Sequence, residues 1–139
     1  MRGWEHFEHQ ADIGIRGYGP TLEAAFEEAA TALVAVIADP ARIKRRDEGA
    51  EVTSPAPAPE IMLFDWLNGL IYEMDTRRVL FGRFSVRISG SRLTGRAWGE
   101  KLDPSRHEPT VEVKAATFNL LEVRRREDGV WVAQCVVDV

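Results

Sequence analysis

One cysteine in 139 residues, Cys135, excludes an internal disulfide and any zinc site built on cysteines. Its place in an apolar stretch marks an inert thiol rather than a nucleophile. No apolar run is long and unbroken enough to span a bilayer. None with a basic start precedes Trp4, so no secretory leader and no membrane attachment are expected, and the expected compartment is the cytoplasm. The three histidines, His6, His9 and His107, lack the close spacing of a zinc motif. There is no glycine-rich phosphate loop, no serine-centred nucleophile elbow and no internal repeat. A net charge of −4 argues against indiscriminate binding to nucleic acid or membrane. Nothing here assembles a complete enzyme active site or a pocket for a small-molecule substrate.

What is present is an ordinary globular composition, 45% hydrophobic and 29% charged, expected to form a single domain over residues 1–139. A first helix is expected after Gly19-Pro20, with Thr21 as its cap and Glu23 near its positive end. Leu22, Phe26, Ala29, Leu33, Val36 and Ile37 repeat at helical spacing, Glu27, Glu28 and Thr31 face away, and Asp39-Pro40 stops the run. A second helix follows the stiff segment Pro55-Ala-Pro57-Ala-Pro59. Its stripe of Ile61, Phe64, Leu67, Ile71 and Met74 is widened by Leu63, Trp66 and Leu70, so most of its sides should be covered. Asp65, Asn68 and Tyr72 form a narrow polar line along it.

The remainder reads as strands. Glu5 to Gln10 pairs with Asp12 to Tyr18, and the basic stretch Arg42 to Thr53 suits an exposed edge. Val79 to Ser89 and Leu93 to Leu102 flank the turn Gly90-Ser91. Thr110 to Arg125 and Val130 to Val139 flank Glu127-Asp128-Gly129, a strong hairpin signal. The expected fold is α+β: two helices packed on one face of a mostly antiparallel β-sheet.

The candidate chemistry lies near the two ends of the sequence. Trp131 to Val137 is apolar apart from Gln134, so the sequence is expected to end inside a strand. That sets the Asp138 carboxylate one residue from the terminal carboxylate of Val139. Ile13 and Ile15 point inward, which puts Asp12 on the other face with Gly14, where glycine leaves room for a ligand or a backbone. Asp12 either caps backbone amides at a strand end or binds a ligand. Asp138, beside Val132 and Val136, needs a partner: a structural lysine or arginine, or a hard cation such as calcium or magnesium held through oxygens. Asp12, Asp138 and the Val139 carboxylate offer three oxygen ligands at one acidic site. Lys114 falls opposite the alternating valines of the strand 111–118, with Phe118 and Leu120, either snorkelling or paired with a carboxylate. Glu100, Asp103 and His107 are able to bind metal but suit a solvated loop. Two basic clusters, Arg42 with Lys44 to Arg46 and Arg124 to Arg126, suit solvated strand ends, or RNA phosphates or an acidic partner if they share a surface.

An ordered set of motifs resembles the archease family over nearly the whole chain. It comprises His9-x-Ala11-Asp12-Ile13-Gly14-Ile15, Thr21-Leu22-x-x-Ala25-Phe26-x-x-Ala29-Ala30, and Asp65-Trp66-Leu67-Asn68-x-Leu70-Ile71-Tyr72. Gly99-Glu100-x-x-Asp103-x-x-Arg106-His107, Val113-Lys114-Ala115-x-Thr117 and Asp138-Val139 complete it. Gln10, Arg106 and Phe118-Asn119 depart from the usual pattern. The resemblance implies a non-catalytic activator of an RtcB-type RNA ligase, promoting guanylylation and turnover of that GTP- and manganese-dependent enzyme in tRNA splicing or RNA repair. RNA would then be met only through the ligase. By the same resemblance Asp12 and Asp138 match metal-site acids, for calcium first and for magnesium or manganese after it, and Lys114 matches a lysine needed for activation. A stand-alone metal-dependent hydrolase and a chaperone-like adaptor of RNA-modifying enzymes are the alternative expectations.

Overall fold

A computed structural model describes residues 1–139, apart from the side chains of Asp47 and Glu48. The opening hairpin joins β1 (Gly3–His9) to β2 (Asp12–Gly19) through Gln10-Ala11, with Gln10 at φ 54°. Helix α1 (Leu22–Ile37) begins where Thr21 Oγ1 accepts from Ala24 N at 3.0 Å. A 3₁₀ turn (Pro40–Arg42), capped by Asp39, leads to β3 (Arg46–Ser54). Helix α2 (Pro59–Arg77) has a proline in its first turn, where the missing N–H costs nothing. Then come β4 (Val79–Ser89), β5 (Arg92–Lys101), a one-turn α3 (Pro104–His107), the two-residue β6 (Ala115–Ala116), β7 (Glu122–Arg125) and β8 (Trp131–Asp138).

The α+β class holds, but the strands form two antiparallel sheets instead of one. The first runs β1-β2-β8-β6, with β7 also paired to β8 along the same edge; the second runs β3-β5-β4. Helix α1 packs on β1, β2 and β8 of the first sheet and on β4 of the second, which explains why its buried positions exceed one stripe. Ala24, Ala25, Ala29, Ala30 and Ala32 are buried as well as the larger residues. Small side chains allow that double contact. At Gly17 of β2 an added Cβ would lie 2.2 Å from Ala29 N and 2.4 Å from Ala25 O. Glu27 does not simply face solvent: its carboxylate accepts from Val86 N of β4 at 2.8 Å and pairs with Arg2.

Helix α2 packs on the second sheet and on β6 and β7. Trp66 is fully buried and donates to Phe26 O of α1 at 3.1 Å. The expected polar line splits by function. Asp65 accepts from the buried Ser54 hydroxyl at 2.6 Å, Asn68 bonds the backbone of β6, and Tyr72 is exposed. Ile61 is also exposed, so α2 keeps one uncovered side. One continuous apolar cluster runs from Ile15 through α1 and α2 to Val137.

The long strand expected from Thr110 to Arg125 is replaced by irregular chain and the short β6 and β7, with a turn between them. Residues 108–114 have no strand pairing because Thr110 is tied instead to the end of α1, its N donating to Ile37 O at 2.9 Å. The basic edge strand starts at Arg46 rather than Arg42, since Asp39-Pro40 initiates the 3₁₀ turn.

Gly17→Ala should push α1 off β2, because both nearest atoms are backbone. We expect a loss near the top of the roughly 1–3 kcal/mol range typical of overpacking. That corresponds to a fall in melting temperature of about 10 °C, measured by circular dichroism.

Candidate functional site

The central pair of the first sheet, β2 and β8, is antiparallel with Ile13 opposite Val137 and Ile15 opposite Cys135. One step beyond Ile13 and Val137, the same register sets Asp12 directly across from Asp138. Directly opposed residues of an antiparallel pair share a sheet face, so both carboxylates leave the same face. That face is the outer one, since Ile15, Ala133, Cys135 and Val137 face the helices in the core. Both aspartates are half-buried. Among the described residues, neither carboxylate has a hydrogen-bond or ion-pair partner.

Lys114 comes to the same end of the sheet through its backbone. Its N donates to Asp138 O at 2.9 Å, and the next residue, Ala115, stands opposite Asp138. The Lys114 side chain is exposed. What fixes this edge is Asn68 of α2, whose Oδ1 accepts from Ala116 N at 2.9 Å and whose Nδ2 donates to Ala116 O at 3.3 Å. An asparagine amide thus takes the place of a neighbouring strand for a β6 of two residues. The polar spacing on α2 could have pointed to Asn68, but not to its target.

Gly14 does not leave ligand space. The ring of Phe7, its cross-strand neighbour, fills the position, within 2.2 Å of where a Cβ would be. The Arg16 guanidinium lies 4.5 Å over that ring and donates to Gln134 Oε1 at 2.9 Å. The outer face behind the two aspartates is therefore closed by this chain's own side chains.

Glu100 and His107 depart from the expected solvated loop. Glu100 is 7% exposed and His107 2%. The Glu100 carboxylate accepts from Arg106 Nη2, from Lys44 N at 2.6 Å and from His107 Nε2 at 3.1 Å. Asp103 N donates to His107 Nδ1 at 2.9 Å, which requires the Nε2–H tautomer. Burial opposes ionisation of Glu100, but the hydrogen bonds from Arg106, Lys44 N and His107 overcome it and hold the carboxyl at about 2. This cluster fastens α3 to β5 and is saturated by its own donors. The basic clusters do not merge: Arg46 begins β3 in the second sheet, whereas Arg124 and Arg125 belong to β7 in the first. Burial pushes the Cys135 thiol up to about 12, consistent with an inert role.

A groove of about 430 Å³ opens between the end of α2 and residues 109–113, lined among others by Ile71, Met74, Arg78, Leu102 and Val111. None of Asp12, Lys114 or Asp138 lines it. Among the described residues, no three His, Cys, Asp or Glu side chains gather closely enough to hold a metal. The donor set at the end of β2 and β8 is the two opposed carboxylates of Asp12 and Asp138. Oxygen-only donors of this kind fit a hard cation and suit zinc poorly.

Glu100 is ionised in the folded state down to about pH 2, against 4.5 for the free group. Its stabilisation is therefore complete above pH 4.5 and lost as pH falls towards 2. Chemical denaturation across that window should show the loss, and Glu100→Gln should flatten it while lowering stability at neutral pH. Asp138→Asn should instead raise stability slightly at neutral pH. Directly opposed like charges cost roughly 0.2–1 kcal/mol, so without divalent ions this variant should melt slightly higher than the parent. With millimolar calcium the parent should gain thermal stability and the variant should not.

A profile of the Archease protein family (MTH1598/TM1083) matches residues 4–139. The archease of Pyrococcus furiosus is 45% identical over 143 aligned residues that span 100% of both chains. That of Methanothermobacter thermautotrophicus is 38% identical over 144, again spanning both completely. The solution structure of protein 1598 of Methanobacterium thermoautotrophicum superposes with a TM-score of 0.83 at 36% identity, covering 99% of each chain. A crystal structure from Thermotoga maritima, described as an archease and possible chaperone, gives 0.65 at 26% identity, covering 97% of this chain and 96% of that one. On the family profile and on full-length relatives well above 30% identity, the chain belongs to the archease family.

Proposed function

We propose that this protein is a non-catalytic activator of an RtcB-type RNA ligase, acting through a divalent cation held by Asp12 and Asp138, with Val139 beside them. The observation that carries the reading is the opposed pair Asp12 and Asp138, without a cationic partner among the described residues and joined at its edge by Lys114. Structural carboxylates are normally paired. Two left opposed on neighbouring strands suit an ion shared with another molecule.

The chain's own residues divide the work. Asp12 is held by its hairpin with His9 and Asp138 by its pairing with Ala115, so neither backbone needs to reorganise when the carboxylates meet an ion. Calcium is the first expectation for that ion, with magnesium and manganese as alternatives. When bound, it would supply Lewis-acid stabilisation to phosphoryl transfer in the ligase. Lys114, exposed beside Asp138 on an edge that Asn68 fastens through β6, would meet a phosphate or carboxylate of the partner site. Contact with RNA then occurs within the ligase complex.

A second reading has a specific observation behind it. Phe118, Leu120 and Tyr72 are large and exposed, at 64%, 51% and 65%. Such side chains also suit a chaperone-like adaptor of RNA-modifying enzymes, and the Thermotoga maritima relative is described as a possible chaperone.

Multiple-turnover ligation by an RtcB-type ligase of the same organism, with and without this protein, separates the readings. The parent should stimulate turnover. Asp12→Ala and Asp138→Ala should each lose at least the roughly 10–100-fold that outer-shell changes cost at metal sites, while keeping the parent's circular dichroism spectrum. Lys114→Ala should lose stimulation without losing calcium binding by titration calorimetry. Hydrolytic turnover by the protein alone, or ligation indifferent to both aspartates, would remove the activator reading.

A further inference from the structure

The edge of the first sheet beside the acidic pair is interrupted in a particular way. Ala116 lies opposite Val137 and Glu122 opposite Gln134, so six steps along the edge accompany only three along β8, and three residues are extruded. The extrusion is pinned rather than loose. Thr117 N donates to Val136 O at 3.1 Å and Val136 N donates to Asn119 O at 3.0 Å. Gln134 Nε2 donates to Leu120 O at 3.2 Å, and Leu121 N closes a turn on Phe118 O at 3.2 Å. Bulges of this kind re-aim side chains at sheet edges and beside functional sites.

What the turn holds outward is apolar. Phe118 is 64% exposed and Leu120 51%. The Phe118 ring is stacked on Phe64 of α2, centroids 4.4 Å apart and planes within 3°, which fixes one face of the ring. Leu120 has φ 51°, in the left-handed region where a type II turn wants glycine at its third position. An extrusion that only protected a sheet edge would carry charge or proline there. Instead, a leucine is kept in an unfavourable backbone conformation on a rigid turn, with its side chain in solvent. Large apolar side chains displayed rigidly are characteristic of interface anchors.

We propose that the turn 117–121, with Phe118 and Leu120 as anchors, is the surface on which the ligase seats; this rests on the activator reading above. Position argues for that occupant. The turn bonds Val136, two residues before Asp138, and follows Lys114 directly through β6, so a partner that receives the acidic pair also lies against the turn. Charge argues for it over a second copy of this chain. Another copy seated there would bring a second pair of aspartates to the first, whereas the partner of the activator reading shares the cation that the aspartates hold.

Titrating the protein into the ligase separates docking from chemistry, because half-saturating concentration and plateau stimulation are read independently. Phe118→Ala and Leu120→Gly should each raise the half-saturating concentration by about tenfold or more, as loss of an interface anchor does, and leave the plateau intact. Asp138→Ala should lower the plateau. Leu120→Gly also controls for folding: glycine suits φ 51°, so this variant should melt at or above the parent temperature. Unchanged half-saturation in both variants, while the parent still stimulates, overturns the docking surface and leaves the activator reading intact. A plateau loss matching that of Asp138→Ala also overturns docking, since the turn would then act in the chemistry. A parent dimer, seen by sedimentation and dissociated by Leu120→Gly at unchanged half-saturation, reassigns the turn to a second copy. No stimulation by the parent removes both proposals together.

Discussion

The acidic end of the molecule depends on the pairing of β2 with β8. These strands come from near the two ends of the sequence, and their register, Ile13 opposite Val137, is set by burial on both faces. Ile15, Cys135 and Val137 enter the core, while Phe7, Arg16 and Gln134 close the outer face. A slip of one residue would turn Cys135 and Val137 to the outer side and drive Asp138 towards the helices. The hydrophobic pattern therefore specifies the meeting of the two aspartates without any attraction between them. Opposed carboxylates are imposed on the site by the core.

The rest of the fold works to hold that pair of strands. Helix α1 lies against β2 so closely that Gly17 has no space for a methyl group, and the same helix reaches the second sheet through Glu27 and Val86 N. Helix α2 takes the edge. Two residues of β6 would fray alone, since short, exposed pairings sit at the low end of local stability. Asn68 supplies them with a donor and an acceptor from the helix side while β8 supplies the other. A single asparagine in the middle of α2 thus fixes where Lys114 stands relative to Asp138. The geometry of the site is inherited from packing two layers away.

How much of this was legible in the sequence follows from the range of the interactions. Thr21, Gly90-Ser91 and Asp128-Gly129 act within a few residues of themselves, and the helix start and both hairpins lie where those residues imply. The acidic residues at the two ends were legible as neighbours because periodicity assigned each a face and the core needed both strands. The split into two sheets was not, because alternation within a strand says which face is buried and not which strand lies beside it. His107 and Glu100 read as a solvated loop because each is polar alone; their burial depends on Lys44 N and Arg106 arriving from other elements. The extruded turn was hidden for a related reason. Lys114, Phe118 and Leu120 share a parity that suggests one regular face, and only the register against β8 reveals the three extra residues.

The contrast between Glu100 and the aspartate pair is the strongest physical argument about the site. Where this fold uses a buried carboxylate for structure, it surrounds it: Glu100 receives Arg106, His107 and a backbone N–H, and is held ionised to about pH 2. No buried side-chain nitrogen or oxygen among the described residues lacks a hydrogen bond. Asp12 and Asp138 are treated differently. They are half-buried, opposed and without such donors among the described residues, although Arg16 stands on the same face of β2 and is turned instead to Gln134 and Glu5. A chain able to satisfy one carboxylate threefold has the means to satisfy two more. In the activator reading proposed above, a cation arriving from outside the chain would be held by this open pair and would stabilise the fold. The same logic accounts for Lys114, which stands beside Asp138 on the backbone yet does not neutralise it. Both signs of charge are kept available at one rigid end, which suits a site completed by another molecule.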